Sequence, residues 1–197
     1  MTPPNDAAVV PDEVALAETA NTIRQHVIEM LLAAGSGHSA GSLGMADVFT
    51  ALYFAVLHID PADPWKPDRD RVVLSNGHIC PVWYATLAQR GFFDVDELTS
   101  LRTMGSRLQG HPHVRSLPGI EASSGPLGQG LSQGIGMALA ARLDGASWRT
   151  HVLLSDGEHD EGQLWSATTN PGRGEPVRST DQPDAEISIN RRSIHDE

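Results

Sequence analysis

The chain has 197 residues, 40% hydrophobic and 20% charged, with a formal net charge of -11. That length fits one domain or most of one, and the acidic balance excludes nucleic acid as a partner, because phosphate backbones call for clustered Lys and Arg. Cys80 is the single cysteine, so no internal disulfide forms. No apolar run reaches the roughly 18 residues of a membrane span, and the start, MTPPNDAAVVPDE, lacks the basic segment and apolar run of a secretory signal. The expected setting is the cytoplasm.

Residues 1–12 read as a loose, proline-rich arm. From 13 to 34, Leu16, Ala20, Ile23, Val27 and Leu31 recur at helical spacing, with Asp12 as the cap. Gly35 and Gly37 end that helix and open the loop GSGHSAGSLG. A buried helix follows over 45–57, then the proline-broken surface loop DPADPWKPDRD. RVVLS predicts a short buried strand. A helix over about 81–90 ends at Gly91, and DVDELTSLR predicts another, with acidic residues in its first turn.

EASSGPLGQGLSQGIGMALAARL is a glycine-rich turn feeding a helix of small residues. Gly128, Gly130, Gly134 and Gly136 would each weaken a surface helix by about 1 kcal/mol relative to Ala. Such a helix is tolerated where something packs close to its backbone. HVLLSDG is a second buried strand, ending in Asp156 and Gly157. Helices alternating with short apolar strands predict an α/β domain with a mainly parallel sheet flanked by helices. Ligands of such sheets sit at the carboxyl ends of the strands. Beyond Ala167 the texture changes. TTNPGRGEPVRSTDQPDAEISINRRSIHDE holds three prolines, four arginines and almost no large apolar residue. Residues 168–197 are expected to be a disordered tail, leaving the sheet incomplete at its C-terminal end with an open edge beside the HVLLS strand.

Three histidines stand beside glycine in loops: His38 in SGHSAGSLG, His78 in LSNGHI and His111 in QGHPH. Histidine exchanges protons near neutral pH, and an adjacent glycine lets a ligand approach the backbone. The shared setting points to one site. His26, His58, His113, His151 and His159 lack that setting and are read as structural or exposed. Asp156 at a strand end can offer a hard cation its carboxylate; by itself it reads equally as a helix cap. Glu158, Asp160 and Glu161 read as a solvated helix start. Cys80 reads as a small packed hydrophobe rather than a nucleophile.

The ordered set SGH, GSLGMAD, LSNGH, YATLAQRGFF, LQGHP, SSGPLGQGLSQGIGMALA and SDGEHDEGQLW resembles the diphosphate-binding domain of transketolases, in particular the N-terminal subunit of split ones, over residues 13–167. LQGHPH and NGHICPVWYATLAQRGFF favour it over deoxyxylulose-phosphate synthase. The resemblance implies a thiamine diphosphate-binding fold, thiamine diphosphate and Mg²⁺ as cofactors, and transfer of a two-carbon ketol unit between sugar phosphates. It implies a C-terminal partner subunit carrying the pyrimidine-binding domain and the activating glutamate, and a dimeric assembly. By motif, His38 and His111 would face the thiazolium and the donor sugar. His78 would reach the diphosphate and reacting oxygens, Gly125 the aminopyrimidine, and Leu127 the cofactor rings. Asp156 would bind Mg²⁺, Gly157 N–H a diphosphate oxygen, and Glu161 would join an interface charge network.

Two small departures are Ser155 where the family usually has glycine and Ser39 where many members have proline. The larger one is the tail. The family's second metal ligand, an asparagine, would fall near Glu186. Asn190 is the nearest, and is read as coincidental because Pro171, Pro176 and Pro183 forbid a continuous helix before it. The chain by itself is therefore expected to be inactive, being incomplete. A non-catalytic remnant or interaction module is the alternative.

Overall fold

The computed structural model describes residues 12–169 and the strand at 185–189. Helix α1 spans Glu13–Ala34, its Ala15 N–H donating to the Asp12 carboxylate (2.8 Å) and its end closed by Gly35 at φ 63°. It buries Ala20, Ile23, Val27 and Met30, a stripe at the expected period. The glycine-flanked loop is shorter than its composition suggests. Helix α2 begins at Ser39 and runs Ser39–Gly44, then α3 covers Ala46–Ala51. The predicted helix over 45–57 holds as one path, but Leu52–Val56 widens into a π turn. The Tyr53 carbonyl there accepts from Arg90 Nε (3.1 Å), and its hydroxyl from Trp83 Nε1 (2.5 Å).

Strand β1 is Arg71–Leu74, α4 is Cys80–Arg90, and Val95–Ser100 is a 3₁₀ turn rather than the expected helix. Helix α5 spans Gly130–Asp144, β2 Thr150–Leu154 and α6 Gly162–Thr169. The sheet is parallel throughout, with Leu74 opposite Leu153. Both faces are covered. Val72, Leu74 and Leu153 join the core under α1, α3 and α4, whereas Val73, Val152 and Leu154 pack with Leu131 of α5 and Leu164 and Ala167 of α6. Alternate strand residues thus serve opposite layers.

The open edge expected beside β2 is corrected, as is the start of the tail. Thr168 and Thr169 complete α6, and Ala185–Ile189 forms β3, parallel to β2 with Leu154 opposite Ile189. The edge of β2 therefore has a neighbour. Backbone ladder bonds need no long apolar run, which is why composition misled here. Residues 170–184 and 190–197, Asn190 among them, lie outside the described residues, as does the arm at 1–11.

The glycines of α5 have separate reasons. A Cβ at Gly134 would come within 2.2 Å of Val152 Cγ2, and one at Gly130 within 2.5 Å of Ser75 Cβ. The close neighbour of this helix is the sheet. Gly136 faces open space. Gly136→Ala should therefore raise the stability of the chain by about 0.5–1 kcal/mol, through helix propensity alone. A urea midpoint that falls in this variant would show an undetected contact on that face.

Candidate active site

Strands β1 and β2 end side by side, and the chain leaves each through a short polar turn. Ser75 N–H extends the ladder to Leu153 O (2.9 Å). Asn76 and Gly77 then lead into His78, while Ser155 leads into Asp156 and Gly157. Helix α2, invisible in the loop-like sequence, seats His38 against this turn. Gly41 lies so close to Ile79 that a Cβ would meet Ile79 Cγ2 at 2.7 Å, and Ser42 Oγ donates to His38 O at 2.7 Å. The result is an edge-to-face pair of imidazoles, His38 and His78, with centroids 5.0 Å apart.

His111 arrives from a third segment. Tyr84 OH donates to Gln109 O (2.9 Å) and the Cys80 thiol to Gly110 O (3.3 Å), so α4 holds the residues just before it. Burial pushes the Cys80 thiol up to about 12, which keeps it a protonated donor rather than a nucleophile. A Cβ at Gly125 would lie 3.5 Å from His111 Cδ2, and one at Gly77 would lie 2.4 Å from Ser124 Oγ and 3.0 Å from Gly125 N. Gly125 has φ 151°. The segments carrying His78, His111 and Gly125 therefore touch where side chains are absent. Burial, then the charges of His38 and, more weakly, His111, hold the His78 imidazole below its ordinary range; Glu158 opposes them. At neutral pH His78 is a neutral imidazole with one donor and one acceptor nitrogen.

Asp156 and Gly157 are exposed at the β2 end, the carboxylate accepting from the Gly157 N–H at 2.9 Å. Among the described residues no three His, Cys, Asp or Glu gather as a complete metal cage. Leu127 is 36% exposed, in the turn after Gly125. Glu161 is exposed as well, with Gly128 (φ 77°) packed so close that a Cβ would meet Glu161 Cβ at 2.9 Å. Of the remaining histidines, His151 is buried on β2, and His159 Nδ1 sits 3.0 Å from Ser155 O beside the Asp156 turn.

Two residues of this region escaped the sequence reading. Arg102, at a positive φ of 59°, lays its guanidinium over Gly110, where a Cβ would lie 3.3 Å from Nε, and reaches towards Gly37. It puts a fixed positive charge between the loops of His38 and His111. Glu158 is fully buried, not a solvated helix start. Its carboxylate accepts from Ser75 Oγ (2.5 Å), Gly128 N (2.8 Å), Ser155 N (2.7 Å) and Ser155 Oγ (3.1 Å). The hydroxyl of Ser155, one of the two small departures, is thus put to use.

Whether these residues suit thiamine diphosphate can be judged from the cradle itself. Gly157 has open space about its backbone, Gly125 is half-buried, and the buried Ser124 Oγ has no hydrogen-bond partner, so its hydroxyl is left to donate. Open backbone and an unused hydroxyl donor fit an anionic, ring-bearing cofactor. A parallel sheet with histidines, bare backbone and a strand-end carboxylate gathered at its carboxyl edge defines an α/β cofactor-binding domain. The sequence model described as "Transketolase, thiamine diphosphate binding domain" matches residues 16–167. The chain belongs to the transketolase family.

Over 160 residues it is 42% identical to the 6-deoxy-6-sulfo-D-fructose transketolase subunit SqwG of Clostridium sp. (strain MSTE9), covering 81% of this chain and 58% of that one. Over 144 residues it is 42% identical to one subunit of the apulose-4-phosphate transketolase of Phocaeicola vulgatus, covering 73% of this chain and 51% of that one. The transketolase structure from Leishmania mexicana superposes with a TM-score of 0.73 at 36% identity, over 78% of this chain and 25% of that one. The chain thus spans little more than half of those two relatives from split enzymes. Among the described residues no helix is long and apolar enough to cross a membrane.

Proposed function

We propose that the chain is the diphosphate-binding part of a two-subunit transketolase, taking thiamine diphosphate with Mg²⁺ and passing a ketol unit between sugar phosphates. The observation that carries this is the meeting of the His38, His78, His111 and Gly125 segments at the carboxyl edge of the sheet in a chain of this family. When bound, the cofactor supplies the nucleophilic carbon and the electron sink for carbon–carbon cleavage. The chain's own residues bind and orient. Neutral His78, stacked edge-on to His38, offers one N–H and one lone pair, so it can hold a hydroxyl of the sugar and take or return its proton. His111, following the Gln109–Gly110 stretch that Tyr84 and Cys80 hold, would meet the sugar from the opposite loop. Arg102 suits an anionic sugar at the rim.

Asp156 would hold Mg²⁺, and the Gly157 N–H, which here donates to the Asp156 carboxylate, would be the donor for a diphosphate oxygen. The activating glutamate and pyrimidine-binding domain come from a partner chain, and the working enzyme is a dimer of such pairs. Two relatives named as subunits support that division.

The test is titration of thiamine diphosphate into the purified chain with and without Mg²⁺, then a ketol-transfer assay with and without a C-terminal partner. Weak, Mg²⁺-dependent binding by the chain alone is expected, with transfer only in the mixture. Robust transfer by the isolated chain would refute the division of labour, and no cofactor binding under either condition would refute the reading as a whole.

A further inference from the structure

We propose that Glu158 is the positioning residue of this site: one buried carboxylate fixes the three loops that carry His78, Gly125 with Leu127, and Asp156 with Gly157. The inference rests on the cofactor reading above and deepens it. Glu158 Oε1 accepts from Ser75 Oγ at the end of β1 and from Gly128 N in the turn before α5. Oε2 accepts from Ser155 N and Oγ at the end of β2. Ser75 is three residues before His78, Gly128 follows Leu127 directly, and Ser155 precedes Asp156. Gly130 N–H also donates to Ser75 Oγ (3.0 Å), tying the start of α5 into the same network.

A carboxylate taken out of water is costly unless its lone pairs are filled by good donors. Here four bonds fill them, and they come from separate segments of the chain, so the group is stable only when those segments are correctly placed. Charge-assisted bonds are also shorter and stiffer than neutral ones. A capping acid on a solvated turn would bond only within its own turn. Glu158 instead bonds across 83 residues to Ser75 and across 30 to Gly128. The same negative charge is the one neighbour that opposes the depression of His78, against His38 and His111.

The experiment compares wild type with Glu158→Gln. Titration with Mg²⁺–thiamine diphosphate is followed by tryptophan fluorescence, Trp165 lying next to the Asp156 turn with its Nε1 on His159 O (2.6 Å). Glutamine keeps one acceptor and turns the other into a donor facing donors. We expect a dissociation constant raised at least about tenfold, the loss typical of groups that orient ligands, in a variant shown to be folded at the assay temperature. The His78 imidazole, followed by NMR, should titrate at lower pH than in wild type; mere loosening of the fold would not move it in that direction. Should Glu158→Gln fail to fold, Ser75→Ala removes one donor only and should raise the constant several-fold. Unchanged affinity in either folded variant overturns the proposal. A wild-type chain that binds no cofactor overturns the cofactor reading instead, and this inference with it.

Discussion

Asp156→Asn should lower the Mg²⁺-supported affinity for thiamine diphosphate about 100-fold while leaving the fold intact. The side chain is exposed, and its hydrogen bond is with its own neighbour, Gly157 N–H, which an amide oxygen accepts equally well. Stability should therefore change by less than about 1 kcal/mol. The charge is another matter. Mg²⁺ in diphosphate sites is held by one or two carboxylates and otherwise by substrate oxygens and water. Among the described residues no group of three or more His, Cys, Asp and Glu could hold the ion without Asp156. Loss of a residue that merely orients a ligand costs 10- to 100-fold, so loss of the charged ligand itself belongs at the upper end, about 2.8 kcal/mol. Titration at fixed Mg²⁺ measures it. An unchanged dissociation constant would remove Asp156 from the site.

Gly130→Ala should cost about 1–3 kcal/mol of stability, with a fall in melting temperature of roughly 3–10 °C for a chain of this size. The added Cβ would lie 2.5 Å from Ser75 Cβ and 2.7 Å from both its Cα and Oγ. Ser75 is fully buried at the end of a strand and cannot swing away. The start of α5 would have to retreat, stretching the Gly130 N–H to Ser75 Oγ bond and disturbing the bond from Ser75 to Glu158. Overpacking accounts for about 1–3 kcal/mol and the weakened bonds for about 1 more, against less than 1 from helix propensity. Gly136→Ala serves as the internal control, because the same substitution further along the helix meets nothing. Equal melting temperatures for the two variants would show that α5 does not lie on β1 as described.

Elements whose cause is local were legible in advance. Helix α1 was placed to the residue because its apolar stripe, its Asp12 cap and its Gly35 stop are all written within one stretch. The two strands before the polar turns were found because three consecutive apolar positions, bounded by polar residues, are buried on both faces. The histidine-bearing loops were found by their glycines. Elements whose cause is distant were not. SAGSLG has the composition of a loop, and becomes α2 because Ile79 and the His78 turn accept its small residues. DVDELTSLR has the charges of a helix start, yet Ser100 turns to Ser106 and the segment tightens to 3₁₀. AEISI sits in a proline-rich stretch with no period, and becomes β3 because β2 offers an unpaired edge.

The sequence by itself determined the α/β class, the family and the residue types of the site, since these depend on short-range pattern and on the order of motifs. Tertiary structure alone decided which of those residues meet. The approach of His38 to His78, the hold of Cys80 and Tyr84 on the Gln109–Gly110 stretch before His111, and the place of Arg102 follow from packing between segments far apart in the chain. Glu158 shows the reason most directly. In sequence it is one acid among three at a turn, and nothing local separates it from Asp160 and Glu161. Its inward direction is set by donors on Ser75 and Gly128, which only the closed sheet and the close approach of α5 bring within reach.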